Sequence, residues 1–172
     1  AGATRVITLT ADIVGCINLD NDVFSSWGCL GTDCQPPVTD HSRVAIPPAN
    51  AVTTNILPAD IDLCEQETVT VRVRNAGLTT IYNAQIEVTL PLGLNYVAGT
   101  GNPSEPQNPL VNPLLWTSTE VPALSSIDPG VTVSVTFDVI AGCDYPNGNR
   151  TIISKAYYET VCGELKISPE SR

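Results

Sequence analysis

Six cysteines, a single histidine and a few clustered carboxylates are the residues of this 172-residue chain whose types and spacing could do chemistry. The cysteines are Cys16, Cys29, Cys34, Cys64, Cys143 and Cys162. A zinc site needs close Cys-x-x-Cys pairs or Cys/His clusters. The nearest pair here, Cys29 and Cys34, has four residues between its members, and His41 lies apart from all six. An even count without companion histidines reads as disulfides formed in an oxidising compartment. Several connectivities are open. The spacing favours Cys29–Cys34 closing a local loop, Cys143–Cys162 joining two C-terminal strands, and Cys16–Cys64 tying the N-terminal part to the rest.

His41 lies between Asp40 and Ser42. A Ser-His-Asp triad is defined by convergence in space around an oxyanion hole, which adjacency in a loop does not supply. The expectation is a solvated loop histidine and no catalytic residue. The acidic run from Asn18 to Asp22 lacks the Gly and the distal Glu, in register, of a calcium loop, so it reads as an acidic surface loop. Asp60 and Asp62 flank Ile61 and read as solvated edge charges that resist aggregation. No phosphate-binding glycine loop is present, and no cofactor or metal is expected. Asn149-Arg150-Thr151 is an N-glycosylation sequon beside a turn, so Asn149 is the candidate for a covalent glycan.

Charge excludes further classes. The net charge is −10, with eight basic residues scattered along the chain. A nucleic-acid binder needs a basic face to displace counterions, and anionic membranes repel the same acidity. No apolar run reaches the length of a membrane span. The small residues Ala1, Gly2 and Ala3 fit the product of a signal-peptidase cut.

The elements that must position these residues are strands. Val69, Val71 and Val73 alternate with Thr and Arg. Tyr82, Ala84, Ile86, Val88 and Leu90 alternate with Asn83, Gln85, Glu87 and Thr89. Val131, Val133, Val135, Phe137 and Val139 alternate with Thr132, Ser134, Thr136 and Asp138. A period of two predicts strands with one buried side. Turns are expected at Asn75-Ala76-Gly77, Pro91-Leu92-Gly93, Asp128-Pro129-Gly130 and Asn147-Gly148. Short strands are also expected over 52–57, 94–98 and 114–116, and a last long one over 151–161. The stretch 99–113 is too rich in Pro, Gly and Asn for a core strand. No helical period persists. The expected fold class is therefore all-β, an immunoglobulin-like Greek-key sandwich over 51–172. Residues 1–50 form an N-terminal strand and disulfide-rich extension.

Four motifs of the stretch 64–163 carry a family resemblance. They are Glu67 to Gly77, Ile86 to Leu94, Trp116 at a core position, and Ile127 to Phe137. In that order they resemble the conserved-repeat, immunoglobulin-like domains of bacterial and archaeal cell-surface proteins, a family without assigned function. The resemblance implies a sandwich on the cell surface and no catalytic residues. Residues 1–60 lie outside the family pattern.

The segment from Arg5 to Val14 adds a functional expectation. Ile7, Leu9, Ala11 and Ile13 share one face of an extended chain, opposite mostly threonines. Such a strand either folds back on its own sheet or adds to the edge of the next subunit. Head-to-tail addition builds an open filament. The leading expectation is a structural, non-enzymatic subunit of an extracellular filament on the cell surface, its partners identical subunits. The alternative is a module of a larger adhesin or surface-layer protein. A carbohydrate-binding module is a third reading; it calls for an exposed aromatic platform, and Trp27 with Trp116 is too few.

Overall fold

A computed structural model describes residues 6, 8, 10, 16, 20–25, 28, 29, 32, 33, 38–58, 61–143 and 151–172. The chain divides into two compact units, Ala1–Ile46 and Pro47–Arg172. In the first, β1 (Asp20–Ser25) pairs antiparallel with β4 (Val38–Arg43), and β2 (Gly28–Cys29) with β3 (Thr32–Asp33). Phe24 and Val23 stand exposed on β1. Of residues 5–14, only Val6, Thr8 and Thr10 are described, and all three are exposed. Ile7, Leu9, Ala11 and Ile13 lie outside the described residues, as do Cys34 and Asn149.

The second unit is an immunoglobulin-like β-sandwich. Its strands are β5 (Ala51–Ile56), β6 (Gln66–Asn75), β7 (Ile81–Thr89), β8 (Leu94–Tyr96), β9 (Leu114–Trp116), β10 (Ser126–Ile127), β11 (Thr132–Ala141), β12 (Ile153–Glu159) and β13 (Leu165–Ile167). One sheet runs β5-β6-β11-β8. The other runs β10-β7-β12-β13, with β9 beside β10 on the same edge of β7. Every strand ladder of this unit among the described residues is antiparallel, and the one helical turn among the described residues is 3-10, at Pro122–Leu124.

Alternation decides which sides meet. Val69, Val71 and Val73 of β6 and Val135, Phe137 and Val139 of β11 are fully buried. Ile81, Ala84, Ile86 and Val88 of β7 close the core from the other sheet with Leu114, Trp116 and Ala156. Burying each of these Val, Ile, Leu and Phe side chains stabilises the fold by about 1.5–3 kcal/mol. Trp116 is buried as expected, and its indole Nε1 donates to the Ser104 carbonyl at 2.9 Å. That bond satisfies its one polar group.

The turns over 75–77, 91–93 and 128–130 follow their residues, and the expected Asn147-Gly148 turn lies outside the described residues. Gly93 (φ 89°) and Gly130 (φ 80°) take the positive φ that the third position of such turns requires, each two residues after a closing carbonyl. Leu94 N–H donates to Pro91 at 3.1 Å, and Val131 N–H to Asp128 at 3.0 Å. Asn75 is fully buried where β6 ends. Its Nδ2 donates to the carbonyls of Thr79 and Ile127, both at 2.8 Å, and its Oδ1 accepts from Gly77 N–H at 2.9 Å. A Cβ on Gly77 would lie 2.6 Å from the Asn50 nitrogen, so only glycine fits there.

Two details depart from the sequence reading. Tyr82 points outward and Ile81 inward. Asn83 adopts φ 48°, and between Tyr157 and Glu159 the β7–β12 register shifts, with Tyr157 opposite Gln85 and Glu159 opposite Tyr82. The extra residue is a bulge, which turns the side chains beyond it to the other face. Val131 is also exposed, because β11 begins after it.

Candidate functional site

An immunoglobulin-like sandwich offers its surroundings two kinds of surface, the outer faces of its sheets and their unpaired edges. Natural sheets blunt their edges with short strands, prolines and charges. Here β9 and β10 cover one edge in short pieces, and β8 is continued by Asn102, which bridges Thr136. β5 is bracketed by Pro48 and Pro58.

β13 differs in what it shows to solvent. It ends its sheet among the described residues, and its two large apolar side chains are exposed, Leu165 by 66% and Ile167 by 57%. The register places Ile167 opposite Tyr157 and Leu165 opposite Glu159. Tyr82 lies opposite Glu159 on the far side. Ile167 and Tyr157 thus form an apolar and aromatic pair on the outer face at the open edge, while Glu159 separates Leu165 from Tyr82. Lys155 borders the pair, 2.9 Å from Glu87 and with its ammonium 5.4 Å from the centre of the Tyr157 ring. Hydrogen bonding to Tyr157 and Glu87 holds that ammonium above its ordinary range.

The cysteines pair differently from the spacing-based expectation. Cys64 is bonded to Cys143, with Cα atoms 4.8 Å apart. Leu63 bridges Ala141 in parallel and Cys64 N–H donates to the Ala141 carbonyl at 3.1 Å. This brings the approach to β6 alongside the exit of β11, so the expected Cys16–Cys64 and Cys143–Cys162 pairs do not form. Cys16 and Cys162 are each disulfide-bonded as well. Cys29 lies in β2, and a Cys29–Cys34 bond falls outside the described residues.

His41 is exposed on β4, opposite Asp22 of β1. Its Nδ1 lies 2.5 Å from Asp22 Oδ1 and its Nε2 3.8 Å from Asp20 Oδ1. Asp40, its sequence neighbour, accepts the His41 backbone N–H. The ring is thus one half of a cross-strand pair. The carboxylates of Asp20 and Asp22 face His41 and Arg43; Asn18 lies outside the described residues. Asp62, which the sequence marked as an edge charge, joins Glu65 and Glu67 with ligand atoms within 4.8 Å of one another, on an exposed corner; Asp60 is outside the described residues.

Fold and surfaces together define the class: an all-β, immunoglobulin-like sandwich held by disulfides. Its fold is similar to that of two solved major pilins. One is the full-length major pilin SpaD from Corynebacterium diphtheriae, at 15% identity and a TM-score of 0.50, over 71% of this chain and 34% of that one. The other is BcpA, the major pilin subunit of Bacillus cereus, at 12% identity and a TM-score of 0.50, over 89% of this chain and 46% of that one. The chain thus spans less than half the length of either pilin. No family model and no curated protein matches it, so the conserved-repeat resemblance of 64–163 rests on its motifs and on the shared class of fold.

Proposed function

We propose that the chain is a structural subunit of an extracellular, pilus-like filament, in which residues 5–14 of one copy add as a strand to a sheet edge of the next. The observation that carries this reading is the open β13 edge, with Leu165 and Ile167 in solvent, in a sandwich of the kind two major pilins use. Ile7, Leu9, Ala11 and Ile13 present the alternation that strand addition needs: backbone hydrogen bonds for affinity and alternate side chains for specificity. Burial of Ile7, Leu9 and Ile13 would contribute about 1.5–3 kcal/mol each. Addition from copy to copy is heterologous, so it propagates into a fibre of identical subunits. Disulfide bonding supports a place outside the cell, at its surface, where Asn149 would carry its glycan. Nothing in this role calls for a catalytic residue or a cofactor.

A second reading is a module of a larger adhesin or surface-layer protein, with residues 5–14 paired in cis. It is favoured by the chain spanning only 34% and 46% of the two pilins. Light scattering on the oxidised chain, with and without residues 1–14, separates the two. Large assemblies that collapse to monomer on deletion support the filament. A monomeric intact chain that deletion merely destabilises supports the module.

A further inference from the structure

Arg72 and Arg74 lie two residues apart on β6, so they share a face. Val71 and Val73 are fully buried on the opposite face, which fixes both arginines on the outside of the sheet. β6 is flanked by β5 and β11, so the pair stands inside the face and not at its rim. Register places Arg72 between Thr54 and Ser134, and Arg74 between Val52 and Thr132. Thr54, Arg72, Arg74, Thr132 and Ser134 line an open depression of about 470 Å³.

The other lysines and arginines of the described residues are all matched to a carboxylate. Arg43 is 3.8 Å from Asp20, Lys155 2.9 Å from Glu87, Lys166 2.6 Å from Glu164, and Arg172 3.2 Å from Glu170. Arg72 and Arg74 have neither ion pair nor side-chain hydrogen bond there. The chain carries 18 acidic residues and a net charge of −10, so two adjacent unmatched guanidiniums are a local inversion of its field. Neighbouring like charges on a sheet face are destabilising, and an anion seated between them removes that cost.

We propose that this depression is a binding site for an acidic saccharide, a carboxylate-bearing sugar held by Arg72 and Arg74. A guanidinium fork matches a carboxylate with two parallel hydrogen bonds. The hydroxyls of Thr54, Thr132 and Ser134 both donate and accept, which suits the hydroxyls of a sugar ring. Two ladder steps by two strand positions span about 10 Å by 7 Å, room for a short saccharide. Among the described residues the lining has no aromatic ring, so charge and hydroxyl matching replace the stacking platform of a neutral-sugar site. The acidity of the rest of the chain disfavours extended polyanions such as nucleic acid. This site is independent of the filament reading.

The test is a titration of the isotopically labelled, oxidised full-length chain with trigalacturonate, followed by amide chemical shifts at low salt. Shifts centred on Thr54, Arg72, Arg74, Thr132 and Ser134 are expected. The fully methyl-esterified trisaccharide, which keeps the hydroxyls and loses the charge, is expected to bind at least tenfold more weakly. So is R72T/R74T, whose threonines keep strand-forming side chains. R72K/R74K keeps the charge and loses the fork, and should weaken binding severalfold; it serves in place of the threonine variant should that one fail to fold. No shifts, shifts elsewhere, or equal binding of the methyl ester would overturn the proposal. Tighter binding of hexaglutamate than of trigalacturonate at the same residues would also overturn it, in favour of an acidic protein partner.

Discussion

Trp116 and Phe137 stack in the core with ring centroids 5.2 Å apart and planes inclined by 28°. One comes from β9 and the other from β11, so this contact joins the two sheets. Tyr96 packs on the same phenyl ring at 5.8 Å. Replacing Phe137 by alanine removes the shared partner and leaves a cavity. The expected loss is about 3–5 kcal/mol, read from urea unfolding followed by far-ultraviolet circular dichroism.

Asn75 is expected to be as sensitive as a core residue. Asn75→Ala removes the partners of the Thr79 and Ile127 carbonyls and of the Gly77 N–H. Each buried group left unsatisfied costs about 1–3 kcal/mol. Asn75→Asp keeps the acceptor for Gly77 but loses both donors, so it should destabilise nearly as much in the same unfolding assay.

The connection between Cys64 and Cys143 closes a loop of 79 residues by sequence separation. Mapping of peptides under non-reducing conditions should recover these two cysteines in one cross-linked species. Replacing both with serine should lower stability by about 4.5 kcal/mol, the loop-closure contribution for that length. Recovery of Cys16–Cys64 or Cys143–Cys162 peptides would contradict the parallel approach of Leu63 to Ala141.

Much of the sandwich is legible in the residues, and the misses have physical causes. Val69, Val71 and Val73 alternate with polar partners, and nothing local competes with that period; β11 reads equally well. Strict alternation with Ala84, Ile86 and Val88 puts Tyr82, and not Ile81, on the buried face. Only the bulge at Asn83 reverses that order, and it depends on pairing with β12. β13 is three residues long and exposed on both faces, so it leaves no burial signal. The Cys64–Cys143 bond follows from a tertiary bridge that spacing does not encode. Arg72 and Arg74 read as the polar side of a strand; their lack of an ion pair among the described residues shows only in three dimensions.

Stability should fall at both ends of the pH scale. Burial pushes the Glu105 carboxyl upward, but donors from Tyr96 (2.6 Å), Gly101 (2.8 Å) and Gly99 (3.3 Å) outweigh it and leave the pKa below the ordinary 4.5. Glu120 is likewise lowered: the Thr117 hydroxyl and N–H outweigh burial. A lowered carboxylate contributes stability above its unfolded pKa and loses it as pH falls through the folded one. The acid limb therefore begins near pH 4.5 and extends below it, and Glu105→Gln should flatten it. Burial and the hydrogen bond to Glu105 raise the Tyr96 phenol above 10. Its contribution is complete below the unfolded value and declines as pH rises through the folded one. Melting temperature measured against pH, with Tyr96→Phe as the alkaline control, checks both limbs.

In the proposed filament, residues 5–14 act between copies. The most direct measurement adds a synthetic peptide of residues 1–14 to the oxidised chain lacking them, and reads binding by calorimetry and protection by amide hydrogen exchange. Saturable one-to-one binding is expected, with new protection along Leu165 to Ile167 and loss of affinity on Leu9→Asp in the peptide. The intact chain is expected to form assemblies which the free peptide dissolves. An intact chain that stays monomeric, paired with a peptide that has no affinity for the truncated one, would contradict this role of residues 5–14.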